Sequence, residues 1–127
     1  MKISFDFDGT LSRKDVQKYA KILILIGHDV YITTSRCDSE NKVYYSIKYD
    51  NSDLFSVAET LGIKKENIFF TAGCFKNKYL IDNKFEIHFD DDNEELKKLD
   101  ENIENHCTGI NINNFMLKKQ QIGITLI

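Results

Sequence analysis

At 127 residues the chain has the length of one domain, enough for a layered core and too short for two ordinary domains. Its 17 basic and 20 acidic side chains leave a net charge of −3, which removes the broad positive footprint of a generic nucleic-acid binder. A hydrophobic share of 42% with 29% charged residues describes a globular protein, and the absence of proline excludes collagen-like and proline-rich classes.

Along the chain, short β-branched or aromatic runs alternate with helix-period segments, the pattern of a parallel sheet with crossover helices. Lys2 to Phe7 reads as the first strand. Ser12-Arg13-Lys14-Asp15 follows as a capping box, in which the hydroxyl and the carboxylate each accept a first-turn amide. Val16, Tyr19, Ala20 and Leu23 then share one helical face, and Gly27 sits where a left-handed cap closes the helix near Ile26. Val30 to Thr34 is the second strand.

The segment from Asp38 to Asn51 reads as a loop or short helix that packs Tyr44, Tyr45 and Tyr49 on the domain, with stacking on a base or sugar as the alternative. Leu54, Phe55, Val57, Ala58 and Leu61 form a second helical face, capped by Ser52 and closed by Gly62. Asn67 to Phe70 is the third strand, and Lys76 and Lys78 open a helix. Glu86 to Asp90 is the fourth strand, broken by His88.

The next helix, Asn93 to Leu99, has Asp92 as its cap, with Glu94 and Glu95 early and Lys97 and Lys98 late, as the helix dipole favours. Cys107 to Ile112 is the fifth strand. The tail from Ile122 to Ile127 reads either as an edge strand or as a docked end. The expected fold is therefore α/β, a three-layer, doubly wound, mostly parallel sheet in a single domain spanning 1–127.

Cys37, Cys74 and Cys107 are odd in number, widely spaced and without zinc-ligand partners, so they read as reduced core residues of a cytoplasmic protein, Cys37 and Cys74 lying near the ligand crevice. The apolar run from Ile22 to Ile26 is far short of the ~20 residues of a membrane span, and the N-terminus lacks the apolar core of a signal peptide. His28, His88 and His106 read as structural or solvated.

In an open parallel sheet, ligands bind beyond the carboxyl ends of the strands, so residues ending different strands meet there. Strand one ends in Asp6-Phe7-Asp8-Gly9-Thr10, strand two in Thr33-Thr34-Ser35-Arg36 and strand four in Asp90-Asp91-Asp92. Strand alternation places Asp6 and Asp8 on one side with Phe7 turned into the packing. Converging carboxylates repel by ~4 kcal/mol per close pair at an effective dielectric near 20. A cation belongs among them: oxygen ligands suit Mg²⁺, with Lys76 or Lys78 neutralising the remainder. Thr34 and the amides around Gly9 supply donors for a phosphoryl group. Two carboxylates at this spacing can divide nucleophilic attack from acid/base work.

At these residues the sequence resembles the haloacid dehalogenase superfamily of phosphohydrolases, over roughly Met1 to Leu99. Ile3-Ser4-Phe5-Asp6-Phe7-Asp8-Gly9-Thr10-Leu11 is similar to the first family motif, which implies Asp6 as the phosphoaspartyl nucleophile and Asp8 as the general acid/base of the phosphatase branch. Ile32-Thr33-Thr34-Ser35-Arg36 resembles the second motif, with Thr34, or Thr33 one residue away, as the phosphate-binding hydroxyl. Lys76, followed by Tyr79-Leu80 as the family lysine often is, is preferred to Lys78. Asp90-Asp91 resembles the acidic fourth motif.

The resemblance implies Mg²⁺ held by Asp6, Asp90 or Asp91 and the backbone carbonyl of Asp8. Neither family insertion point has room for a cap domain. An open site of this kind suits a small-molecule, nucleotide or macromolecular phosphoester, a small one being covered by a neighbouring subunit. No membrane partner is expected. Two other functions fit the same residues: a phosphotransferase or mutase of this fold, and a non-catalytic metal-binding interaction module.

Overall fold

The computed structural model describes residues 1–38, 43–44, 47–48 and 50–122. In chain order the elements are β1 (Lys2–Phe5), α1 (Lys14–Leu25), β2 (Asp29–Thr34), β3 (Val43–Tyr44), β4 (Ile47–Lys48), α2 (Ser52–Leu61), β5 (Ile68–Phe70), α3 (Asn77–Asp82), β6 (Ile87–Asp90), α4 (Asn93–Asp100), β7 (Thr108–Asn111) and α5 (Ile112–Ile122). Five strands form an all-parallel sheet in the order β5-β2-β1-β6-β7, with Ile3 of β1 opposite both Val30 and Ile87. The chain begins at the centre, winds outward to β5 and returns to β6. That reversal makes the gap beyond β1 and β6 the topological switch point, where ligands of such sheets bind.

Strand alternation sorts side chains into two faces of different chemistry. Ile3, Phe5, Ile32 and Phe89 meet Val16, Tyr19, Ala20 and Leu23 of α1, Leu54, Ala58 and Leu61 of α2, and Ile112 and Met116 of α5. Phe5 stacks on Phe89 at 4.9 Å. Each such fully buried Phe or Leu contributes about 1.5–3 kcal/mol. On the opposite face Tyr31 and Phe69 pack with Leu80, Phe85, Leu99 and Cys107, the cluster to which α3 and α4 contribute. The result is a three-layer, Rossmann-like α/β fold. No helix among the described residues is long and apolar enough to cross a membrane.

The elements depart from the sequence reading at their ends. Ser12 does not cap α1, its hydroxyl accepting the Gly9 amide at 3.1 Å, whereas the Asp15 carboxylate accepts the first-turn Val16 amide at 2.9 Å, as expected, and also pairs with Arg13 at 2.8 Å. Ser52 is the first residue of α2 rather than its cap, and the Asp50 carboxylate accepts its amide at 2.9 Å. Gly62 closes α2 in the left-handed region at φ 82°, as its position predicts. The segment after Cys37 contains a short antiparallel pair, β3 with β4, where a loop or helix is expected; the side chains of Tyr44, Tyr45 and Tyr49 lie outside the described residues.

The last strand among the described residues stops at Asn111, and the chain continues as α5. The Asn111 side chain accepts the amides of Asn113 and Asn114 at 3.0 and 3.1 Å, an N-cap that ends β7 and starts α5 in one residue. Residues 123–127 of the expected tail lie outside the described residues.

The cysteines divide by environment. Cys107 is buried in the second cluster, Cys37 is half-buried and Cys74 is exposed, so only Cys107 is a core residue. Burial pushes the Cys107 thiol up to about 12, with Asp100 adding to the effect. An alkylating reagent at pH 8 is expected to label Cys74 in the folded protein and Cys107 only after unfolding, because the thiolate is the reactive form. Peptide mass analysis reads this directly, and equal labelling of the two in the folded state would contradict the packing.

Candidate active site

The site begins where β1 ends, two residues earlier than its alternation suggests. Strand geometry stops at Phe5, yet the Asp6 amide still donates to the Phe89 carbonyl at 2.9 Å and stays pinned beside β6. The backbone then makes one wide turn over Phe7–Leu11, closed by hydrogen bonds from the Leu11 amide to the Asp6 carbonyl and from the Ser12 amide to the Phe7 carbonyl. This turn, rather than strand alternation, brings Asp6 and Asp8 to one cleft while Phe7 stays buried.

Gly9 permits the turn. It has φ +74°, and a Cβ there would run into the Asp91 carboxylate. Gly9→Ala is expected to lose about 1–2 kcal/mol from the left-handed backbone alone, with a displaced Asp91 in addition. Thermal unfolding checks this, and an unchanged melting temperature would refute it.

Lys76 occupies the centre. It immediately precedes α3, is 2% exposed, and places Nζ 2.7 Å from both Asp6 Oδ1 and Asp90 Oδ2. Its amide donates to Glu95 Oε2 at 2.9 Å, tying α3 to α4. Thr10 donates to the other Asp6 oxygen at 3.1 Å. Asp6, Asp90 and Asp91 each offer one oxygen, all within 4.8 Å of one another.

One lysine cannot balance this many carboxylates. Burial and the neighbouring Asp90 charge push the Asp6 carboxyl up to about 8. Burial acts the same way on Asp90, but the hydrogen bond from His88 and the neighbouring Lys76 ammonium bring it down to about 2.

A buried polar chain crosses the sheet beneath these groups. Thr33 Oγ1 lies 2.7 Å from Ser4 Oγ, Ser4 Oγ lies 3.0 Å from His88 Nδ1, and His88 Nε2 lies 2.8 Å from Asp90 Oδ2. With Asp90 ionised, His88 donates through Nε2 and accepts the Ser4 hydroxyl at Nδ1, and Thr33 donates to Ser4. Burial lowers the His88 pKa, which favours this neutral form. His88 is therefore structural, as its sequence context suggests, but it orients an aspartate of the site.

Above the cleft, Arg36 grips Asp8. Nε and Nη2 donate to the two Asp8 oxygens at 2.9 and 2.7 Å, and the guanidinium lies 4.8 Å from the centre of the Phe7 ring. The cleft encloses about 320 Å³ and is lined by Asp6, Asp8, Ser35, Lys76, Asp90, Asp91, Asp92 and Glu95. A larger groove of about 580 Å³ runs along β7 and α5, but its lining of apolar and asparagine residues with Lys118 brings no carboxylate.

Of the residues singled out in the sequence, Asp6, Asp8, Lys76, Asp90 and Asp91 converge in the cleft. Lys78 does not line it. Thr34 ends β2 almost fully buried, its hydroxyl accepting the Arg36 amide at 3.2 Å, and Ser35 is the residue of this turn that lines the cleft. Thr33 faces the polar chain below. Asp92 caps α4 by accepting the Glu94 amide at 2.9 Å, as expected. Sequence reasoning did not assign Ser4, Thr10, Asp53 or Glu95 to the site; only their positions beside strand ends and helix starts hinted at it. The chain matches no protein-family model and no curated protein.

Proposed function

We propose that this chain is a Mg²⁺-dependent phosphatase of the haloacid dehalogenase type, without a cap domain, that hydrolyses a phosphomonoester through a phosphorylated Asp6. The observation that carries the reading is the Lys76 ammonium held between Asp6 and Asp90 at the switch point, with Asp91 alongside. A buried carboxylate that is only partly neutralised by one amine is built to receive further positive charge and a phosphoryl group.

The donor set fits the metal. Six carboxylates (Asp6, Asp8, Asp90, Asp91, Asp92 and Glu95) line the cleft against Lys76 and the Arg36 that holds Asp8, and oxygen donors of this kind suit a hard divalent ion. Asp6, Asp90 and Asp91 would hold it, with the Asp8 backbone carbonyl as the resemblance implies. When bound, Mg²⁺ would offset charge on the phosphoryl oxygens.

The chain's own groups divide the reaction. An Asp6 oxygen attacks phosphorus as the bond to the leaving oxygen breaks, and Asp8 gives that oxygen its proton. Water then attacks the phosphorus of the aspartyl-phosphate, Asp8 takes the water proton, and inorganic phosphate leaves with Asp6 regenerated. Lys76 holds Asp6 and offsets charge throughout. Residues 6–13 alone separate β1 from α1, and residues 71–76 alone separate β5 from α3, which supports an uncapped site open to a phosphorylated small molecule, nucleotide or macromolecular end.

A panel of nucleotides, sugar phosphates and 3′-phosphorylated oligonucleotides, with and without Mg²⁺, tests the proposal. Metal-dependent phosphate release is expected on at least one. No release on any, together with no binding of fluoroberyllate, would favour a metal-binding interaction module.

A further inference from the structure

Arg36 has the charge and position to grip a substrate phosphate, yet its donors are already committed. A guanidinium has five N–H groups. Nε and one Nη2 hydrogen go to Asp8 at 2.9 and 2.7 Å. The second Nη2 hydrogen and one on Nη1 go to Asp53 at 2.9 and 2.7 Å, and the last meets Asn51 Oδ1 at 3.4 Å. Two carboxylates thus hold one guanidinium by adjacent edges, and the Phe7 ring supports its face.

Asp53 lies outside the cleft, in the first turn of α2, and its own amide-side oxygen is fixed by the Leu54 N–H at 2.9 Å. Asn51 is 2% exposed and donates to the Cys37 carbonyl at 2.8 Å, so this side of the clamp is anchored in the fold. Asp8 and Asp53 expose similar shares of their side chains, 61% and 60%, but Asp53 stands on a helix with one oxygen fixed by a backbone amide, whereas Asp8 stands on a turn. An aspartate so exposed samples several rotamers unless something holds it, and a displacement of ~1 Å at a reacting group can cost 10²-fold in rate.

We infer that Arg36 and Asp53 are positioning residues that hold the Asp8 carboxyl beside the leaving oxygen. The two-bond pair is that of the carboxylate. One Asp8 oxygen releases its Arg36 N–H when it carries the proton that it gives to the leaving group, and Arg36 keeps the other oxygen and is not a substrate-phosphate anchor. This rests on the proposed phosphatase reading. Asp53 transmits order from α2 to Arg36, and Arg36 passes it to Asp8 without touching substrate.

Leaving-group dependence tests it. Protonation matters for an alkyl phosphate, whose alkoxide leaves poorly, and much less for p-nitrophenyl phosphate, whose phenolate leaves unaided. In Arg36→Ala and Asp53→Ala, kcat/KM for an alkyl phosphate is expected to fall by ~10²-fold, while that for p-nitrophenyl phosphate falls far less and KM for both stays within a few-fold. Asp8→Asn should show the same pattern more strongly, and Asp53→Glu should recover part of the loss.

Equal losses on both substrates would mean a merely structural clamp and overturn the inference. A large rise in KM with kcat unchanged in Arg36→Ala would make Arg36 the phosphate anchor and also overturn it. A wild-type protein with no Mg²⁺-dependent turnover on either substrate would instead reject the phosphatase reading itself, and the positioning role with it.

Discussion

Asp6→Asn is expected to lower phosphate release at least ~10³-fold without weakening the fold. The amide keeps the shape and an oxygen for Lys76, and it turns a donor toward Thr10 and Asp91, but it cannot attack phosphorus. Stability should move the other way. In the metal-free protein the folded Asp6 carboxyl is pushed up to about 8 from an unfolded value of 3.8, so its ionisation works against folding, increasingly from about pH 4 to about pH 8.

A neutral Asn removes that opposition. In EDTA at pH 8 the variant should therefore melt at or above the wild-type temperature, and below pH 4 the difference should vanish. A variant that is inactive because it is misfolded would melt lower at every pH, which separates the two causes. Sites that store such unfavourable charge are common where activity and stability compete.

Lys76→Met is the second large effect. The lysine is almost fully enclosed and lies 2.7 Å from two carboxylates whose side chains are 8% and 0% exposed. Methionine fills similar volume but leaves Asp6 and Asp90 buried without their shared cation. Breaking a buried ionic group in this way typically costs about 3–5 kcal/mol, or a fall in melting temperature on the order of 10 °C or more for a domain of this size.

The deficit should depend on metal. If Asp6, Asp90 and Asp91 hold Mg²⁺, millimolar Mg²⁺ should raise the melting temperature of Lys76→Met more than that of the wild type, since the ion supplies charge that the variant lacks. Phosphate release should still fall by ~10²–10³-fold, because the group that offsets developing charge is gone. A melting temperature equal to wild type in EDTA would contradict the placement of Lys76.

The strands and the convergence at their carboxyl ends were legible because both follow from local pattern and one topological rule. Alternation and β-branched runs place β1, β2, β5 and β6 to within two residues, and the switch-point rule then gathers Asp6, Lys76, Asp90 and Asp91. Contacts of single polar side chains that can choose between several partners were not legible. Ser12 satisfies the cap pattern, but Gly9 lies three residues back and its amide takes the hydroxyl first. Asn111 reads as the end of a strand because its capping role depends on the two amides that follow, within an asparagine-rich stretch without strong apolar spacing.

The same reason hides the support beneath the site. Ser4, Thr33 and His88 occur singly on three strands, and only parallel pairing in the observed register makes them neighbours. His88 interrupts an apolar run, and that irregularity was the sequence signal of a buried polar chain. The Arg36 to Asp53 link spans β2 and α2 and leaves no periodic trace.

The most direct measurement is the fate of the phosphoryl group. Wild-type protein mixed with Mg²⁺ and a turned-over substrate, quenched in acid and digested, is predicted to carry phosphate on the peptide containing Asp6, and Asp6→Asn to carry none. Turnover with phosphate on a different residue, or continued turnover in Asp6→Asn, would contradict a nucleophilic Asp6.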